Sequence, residues 1–486
     1  MLASIMQALD NTIANVALPR IQGSLSATQD QMSWVLTSYI IAAAIMTPLS
    51  GWLANRIGRK RVFVYSVVGF TIASALCGAA QSLPEMVLAR LFQGVCGAAL
   101  IPMSQAVLLD INAPEHHARA MAVWVMGVTI GPILGPALGG WLTDNYNWRW
   151  VFYINVPFGV MALLGILFFM PETPTRKLRF DFLGFTALSI GIGSLQLMLD
   201  RGQLKDWFSS TEIQTEAVIA ALALYVFLAH TITARSEPFV SPALFRDRNF
   251  LTGNIFIFIV GVVLFATLAL LPPMLQDLLN YPVVTTGLVT APRGLGTLLA
   301  MLVVGRMMRR MDLRVIIAVG FALTAVSLWQ MTTFSLDMGS APVVWSGLIQ
   351  GIGTGFVFVP LAAVTFTTLP WRLRNEGTAM FSLVRNAGSS IGISVVETLL
   401  TRSTQVMHAS LSEHVTPYSA LARRYWPAGH PTVAQLAAVN QEVGTQAAMI
   451  AYINDFQLMF VLTLCALPLV FLLRRATPQP APAVIE

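Results

Sequence analysis

The sequence predicts an all-α polytopic membrane protein: two six-helix bundles with two extra helices between them, fourteen spans in all. Three observations carry that prediction. Of the 486 residues, 56% are hydrophobic and 11% charged, against about 25% charged in soluble domains. Fourteen apolar segments follow one another, most near the ~20 residues that a bilayer-spanning helix needs. Finally, LFQGVCGAALIP (Leu91–Pro102, fourth segment) is echoed by LIQGIGTGFVFVP (Leu348–Pro360, twelfth), and GWLANRIGRKRVF (Gly51–Phe63) more weakly by GRMMRRMDLRV (Gly305–Val315). Both offsets are eight segments, which gives six helices, two extra and six more, a plan used by transporters.

The segments cover about 1–18, 34–54, 62–80, 86–109, 120–142, 150–170, 182–199, 216–234, 250–272, 284–305, 315–333, 343–369, 377–400 and 455–473. Residues 1–170 are expected to form the first bundle, 171–249 the two linker helices and 250–474 the second bundle, with 475–486 as a cytoplasmic tail. The first run is slightly short for a span and has no basic flank, so we expect part of its helix, and a short tail before it, to be missing. With the N-terminus placed inside, 19 Lys and Arg fall in inside segments, among them Arg176, Lys177, Arg235, Arg309, Arg372, Arg474 and Arg475. Seven fall outside: Arg20, Arg149, Arg201, Lys205, Arg402, Arg423 and Arg424. That bias predicts both termini on the cytoplasmic side. The stretch 401–454 reads as a long outside loop, polar and amphipathic around WPAGHP. Its histidines, His408, His414 and His430, are scattered and read as solvated.

Several function classes drop out. The net charge of +6 sets topology and does not indicate nucleic-acid binding. Cys77, Cys96 and Cys465 all lie in apolar runs, with no CxxC or disulfide framework, and no metal site is expected. There is no GxxxxGK[ST] phosphate loop. We expect neither a catalytic centre nor a cofactor, and an ion gradient as the energy source.

The charged residues inside the apolar runs carry the functional reading. Asp10, in LDNTIANVALP, lies nine residues from Pro19, or about 13 Å along a helix, near the middle of a hydrocarbon core about 30 Å thick. An intramembrane acid is costly and marks a functional site by default; the competing reading is a structural acid bonded to a neighbouring helix. Asn11 and Asn15 put amides on one side of the same helix. Arg90, in LARLFQG, reaches a similar depth and needs an acceptor. Asp10 is the first choice, with Gln93 or backbone carbonyls as alternatives. Glu397 is read as interfacial or functional, and Arg293 and Arg385 as structural or cavity-facing. Trp34, Tyr39, Trp124, Met126, Phe256, Phe258, Phe356, Phe358 and Phe381 near the midline offer a surface for lipophilic, often cationic ligands.

One stretch resists a soluble reading. GVTIGPILGPALGGW sets Gly127, Gly131, Gly135, Gly139 and Gly140 among Pro132 and Pro136. Each Gly costs about 1 kcal/mol and each Pro about 3 kcal/mol in an ordinary helix interior. In a membrane bundle, neighbours satisfy the freed backbone groups and glycine lets backbones approach. A kinked contact ridge is the result, read either as plain packing or as a surface where two halves meet.

Taken together, LDNTIANVALP, GWLANRIGRKRVF, LARLFQGVCGAALIP and GVTIGPILGPALGGW resemble the signatures of the major facilitator superfamily, specifically the fourteen-span drug:proton antiporters of the EmrB/QacA type. SLQLMLDRGQLKDWFSS (Ser194–Ser210) is most similar to the EmrB branch. The resemblance implies the major facilitator fold and proton-coupled export of drugs. It implies Asp10 as proton-coupling acid with Arg90 as partner, while Asn11, Asn15, Trp34, Tyr39, Gln93, Trp124, Phe356 and Arg385 stand as candidate substrate contacts by their residue types and positions in the spans. It also implies Gly51, Asn55, Arg56, Gly58, Arg59 and Lys60 as a conformational latch, and Gly127–Gly140 as a hinge between the halves. The family usually has Asp where this chain has Asn55, which weakens a charge-based latch. The EmrB branch further implies a periplasmic adaptor (membrane fusion protein) and an outer-membrane channel. The rival readings are a proton-coupled symporter of a small solute, and a non-transporting receptor or channel.

Overall fold

The computed structural model describes residues 1–112, 117–173, 175, 179–233, 238–308, 310–370, 373–415 and 432–473. Arg176, Lys177, Arg235, Arg309, Arg372, Arg423, Arg424, His430, Arg474, Arg475 and the 475–486 tail lie outside them. Among the described residues there are helices and connections and no strands.

The first half comprises α1 (Leu2–Leu25), α2 (Gln29–Ile57), α3 (Arg59–Ala79), α4 (Leu83–Gly97), α5 (Leu100–Ile111), α6 (His117–Asn145), α7 (Trp150–Tyr153) and α8 (Asn155–Phe169). The extra pair is α9 (Phe182–Arg201) and α10 (Thr211–Thr233). After α11 (Pro242–Arg246), the second half comprises α12 (Arg248–Pro273), α13 (Val283–Thr290), α14 (Pro292–Met307), α15 (Leu313–Met331), α16 (Ala341–Thr367), α17 (Arg374–Glu413) and α18 (Val433–Ala466). Twelve helical stretches among the described residues are long and apolar enough to cross a membrane, α4 and α5 together making one of them. α1 and α6, 24 and 29 residues long, pack against each other in the same bundle.

Helix starts follow local chemistry. Thr28 and Gln31 close a capping box at the head of α2, satisfying two backbone donors that the first turn leaves free. Ser82 caps α4 ahead of Pro84, and Asp247 caps α12. The internal repeat is visible in packing. α1 lies on α6 as α12 lies on α17; α2 and α3 flank α4 as α14 and α15 flank α16; α3 meets α8 as α15 meets α18.

Two expectations change. The first helix runs past Pro19 to Leu25, because Arg20 and its polar followers extend it beyond the apolar run. The stretch 401–454 is mostly helix rather than loop: α17 continues to Glu413 and α18 begins at Val433. The two projections pack together, with His408 Nε2 and Asn440 Oδ1 3.0 Å apart.

Candidate functional site

The polar centre of the first half is built from five helices and is buried. Asp10 of α1 and Arg90 of α4 are each 1% exposed. Arg90 Nη1 donates to Asp10 Oδ2 at 2.8 Å and to Gln93 Oε1 at 2.8 Å. Gln93 Nε2 donates to Asp10 Oδ1 at 2.9 Å, and Asn155 Nδ2 to the same oxygen at 2.7 Å. Arg90 Nε donates to Val35 O at 3.1 Å, and its guanidinium lies 4.3 Å from the Tyr39 ring centroid. Ser74 Oγ accepts from Asn155 at 2.9 Å and donates to Phe152 O at 2.8 Å. Arg90 and Gln93, three apart, share one face of α4. Asn155 is aimed inward as the first residue of α8, after the break at Ile154.

Three donors, one each from Arg90, Gln93 and Asn155, converge on the Asp10 carboxyl group. Removing either partner of such a buried pair strands a charge, at about 3–5 kcal/mol. The expected Asp10–Arg90–Gln93 group is therefore present. Asn155 and Ser74 were not expected, since neutral polar residues in an apolar run carry no depth signal.

A second cluster sits where the two halves meet, at the end of the bundle bearing Arg56, Arg59 and Arg374. A Cβ on Gly51 would lie 3.0 Å from both Asn375 O and Glu376 Cα, so only glycine lets α2 approach the head of α17 this closely. Asn375 Nδ2 donates to Asn55 Oδ1 at 2.6 Å. Arg59 pairs with Asp110 at the end of α5, and Arg374 Nη1 reaches Asp110 Oδ1 at 3.3 Å from the other half. Gly58 holds φ +94° between α2 and α3, a conformation glycine adopts without strain. Arg56 lies over the Trp52 ring, and Lys60 Nζ donates to Leu167 O at 3.1 Å. Asp110 is the residue that sequence reasoning missed: it ends an apolar run, where an acid reads as interfacial.

The remaining candidates divide. Trp124 is buried between the halves, its Nε1 donating to Ser104 Oγ at 3.0 Å and Ser4 Oγ at 3.3 Å, its ring 6.5 Å from Phe358. Tyr39 is buried beside Arg90; Asn11 and Asn15 are exposed, Asn11 meeting the Tyr39 hydroxyl rather than Asp10. Trp34 is not at the midline: it lies near the head of α2 under the Arg201 guanidinium, 5.4 Å away. Phe256 and Phe381 are core residues packed on Phe321 and Phe366, and Phe356 and Phe258 are partly buried. Glu397 is exposed. Arg293 Nη2 donates to Leu264 O at 3.3 Å and Arg385 Nη2 to Asn386 Oδ1 at 3.3 Å, with no acid paired to either among the described residues.

The glycine ridge needs correction. A Cβ on Gly131 would lie 2.7 Å from Ala8 C, one on Gly135 2.0 Å from Thr12 Oγ1, and one on Gly139 3.2 Å from Ile13 O. Gly127 faces Met1 and Ile5, and Gly140 faces open space. The ridge therefore packs α6 on α1 within one half and is not the surface where the halves meet. The second half repeats the device: Gly388 and Gly392 of α17 abut Phe258 and Val262 of α12. α6 does border α13, α14 and α16, but the side chains of Met126, Pro132 and Pro136 lie outside the described part.

Comparison with known proteins agrees with this architecture. A family model described as Major Facilitator Superfamily matches residues 1–393. The multidrug export protein EmrB of Escherichia coli K12 is 39% identical over 87% of this chain and 83% of its own length. The fatty acid resistance protein FarB of Neisseria gonorrhoeae is 36% identical over 97% of this chain and 94% of its own. Among solved structures, a proton:xylose symporter, XylE, superposes with TM-score 0.61 at 12% identity, covering 96% of this chain and 94% of that one. The human organic anion transporter MFSD10 gives 0.59 at 14%, covering 95% and 98%. At such identities these two speak for the fold alone.

Proposed function

This chain belongs to the major facilitator superfamily, and we propose that it exports lipophilic or cationic drugs in exchange for protons, by alternating access in a bacterial inner membrane. The observation that carries the proposal is the sealed Asp10–Arg90–Gln93–Asn155 group, an ionisable centre inside one bundle of a two-bundle transporter. The multidrug export relatives support the drug class. With the basic end placed in the cytoplasm, both termini are inside and the latch around Gly51, Asp110 and Arg374 closes the cytoplasmic side. A proton arriving at Asp10 from outside favours one state, and a drug from the cytoplasm or inner leaflet favours the other. The differential affinity of the two states for proton and drug sets the coupling.

The test is purified protein in proteoliposomes: drug addition releases protons from the wild type, and Asp10→Asn abolishes that release while the protein stays in the membrane. Coupled efflux at the normal rate in this variant would sink the assignment. By the same reading, the EmrB relatives point to work alongside a periplasmic adaptor and an outer-membrane channel, which co-purification from a native envelope would test.

A second reading of the cargo includes lipophilic carboxylates. Arg293 and Arg385 lack acid partners among the described residues, and the FarB relative is named for fatty acid resistance. Arg385→Met would then reduce export of a long-chain fatty acid more than that of a lipophilic cation; equal effects on both would remove this reading.

A further inference from the structure

Two six-helix bundles can enclose a path without help, so α9 and α10 need a reason. The halves meet along two seams: α2 and α5 face α17 on one flank, and α6 faces α13, α14 and α16 on the other. α9 lies over the first seam and follows α2 along nearly its whole length. Just before α9, the Phe180 ring is 4.7 Å from Trp52. A Cβ on Gly193 would lie 3.4 Å from Ile45 Cδ1 and 3.9 Å from Ile41 Cγ2. Thr37 Oγ1 donates to Asp200 Oδ2 at 2.8 Å, with Gln196 Nε2 bracing the other oxygen at 3.0 Å. Arg201 ends the series over Trp34. From Trp52 to Trp34 is about 27 Å of helix, close to the thickness of the hydrocarbon core.

The hold on α17 is of another kind. Among the described residues one hydrogen bond joins α9 and α17, Ser394 Oγ donating to Leu199 O at 2.9 Å at the far end, where Glu397 of α17 also lies within electrostatic reach of Asp200. α10 packs on α9 and turns Leu222 and Tyr225, 60% and 70% exposed, outward. On the opposite flank α14 presents Leu295, Leu299 and Leu302, all more than half exposed. Among the described residues the extra pair makes no extended contact there.

We propose that α9 is a fixed seal over the α2–α17 seam, carried by the first half, and that lipophilic substrate dissolved in the bilayer reaches the central path through the opposite seam, between α6 and α14. The LDRG segment supplies the pins: Asp200 and Arg201 fasten α9 to Thr37 and Trp34, and α17 slides beneath when the halves reorganise. The seam beside α2 then stays covered in both states, so lipid chains and water cannot pass there. This inference rests on the export reading.

The experiment uses full-length protein with Cys465→Ser, reconstituted in proteoliposomes with a photoreactive tetraphenylphosphonium. Adducts that excess unlabelled tetraphenylphosphonium suppresses are expected on α14 and α6 and not on α2, α9 or α17. A short thiol-bridging reagent joining Thr37→Cys to Asp200→Cys should leave export within about twofold of the unbridged protein. Joining Leu199→Cys to Ser394→Cys should slow it at least about tenfold, reversibly with reductant, because it ties the seal to the moving half. Competable adducts on the α2–α9–α17 flank, or equal arrest by both bridges, overturn the seal while proton release by the wild type leaves export standing. Absence of drug-driven proton release in the wild type removes the export reading and this inference with it.

Discussion

The two halves repeat one backbone plan and differ in what they place at its centre. Gln93 and Gln350 occupy matching positions in the repeat. In the first half Gln93 donates to a carboxylate that also holds Arg90 and Asn155. In the second, Gln350 Nε2 donates to the hydroxyl of Thr267 at 3.2 Å, which in turn donates to Val263 O at 2.7 Å and lies near Met459. Three residues before the glutamine, the first half has Arg90 and the second Gly347, where the Cβ of Arg293 comes within 3.7 Å of a built Cβ. Duplication preserved the helix packing and left the ionisable pair in one copy. The lesson is that a repeated backbone plan need not repeat the chemistry at its centre.

The comparison breaks most readily at its centre. Asp10→Asn should lower proton-coupled drug export at least about 100-fold, the range lost when a proton-transfer group is removed. Thr267→Ala should leave it within about twofold by the same assay. Equal losses would mean that the second centre is as necessary for export as the first.

Glycine packing tests what the halves share. Gly131→Ala and Gly388→Ala should each destabilise by about 1–3 kcal/mol, since the added carbon meets backbone, read as a lowered melting temperature in detergent. A Gly131→Ala protein of wild-type melting temperature that cannot export would reinstate the hinge.

The latch between the halves should respond in both directions. Arg374→Ala removes the cross-half partner of Asp110 and should weaken closure by roughly 0.2–1 kcal/mol. Asn55→Asp keeps the acceptor for Asn375 and adds charge near the N-terminus of α17, which should strengthen closure by about 0.3–1 kcal/mol. The readout is the labelling rate of a cysteine at Val128 by a thiol reagent added at the basic end: faster in the first variant, slower in the second.

The smallest effect lies at the foot of the extra pair. Burial alone would raise the Asp181 carboxyl. The backbone N–H groups of Gly184 and Phe239, each 3.0 Å away, and the His230 ring at 2.9 Å outweigh it and hold the group below its ordinary value. A depressed carboxyl stabilises the fold above its unfolded value, about 3.9, and that contribution fades as pH falls through the folded one. The melting-temperature gap between wild type and Asp181→Asn should therefore be full at pH 7 and shrink below about pH 4. A gap that widens on acidification would refute the sign.

Much of this was legible in the residues. Helix rise alone put Asp10 and Arg90 at one depth, and three-residue spacing put Gln93 beside them. Asn155 was hidden because a neutral amide in an apolar run has no hydropathy contrast. Asp110 was hidden because its partners, Arg59 and Arg374, are distant in the chain. The glycine spacing defined a face of α6, but periodicity names a face and never the helix it meets. The projections of α17 and α18 escaped because helix there has no apolar run to announce it; Thr432 and Gln435 form a capping box, a start signal that could have been read.

The length of α17 has a mechanical consequence. It is one unbroken helix of 40 residues, about 60 Å long at 1.5 Å per residue, with Asn375 at the latch and His408 in the projection at the opposite end. A rod of that kind converts rotation into travel. If it tilts about its midpoint by about 15°, a rotation typical of packed subunits, its outer tip sweeps roughly 8 Å. Each turnover would then appear at the projecting end as a displacement, a signal in distance rather than in charge.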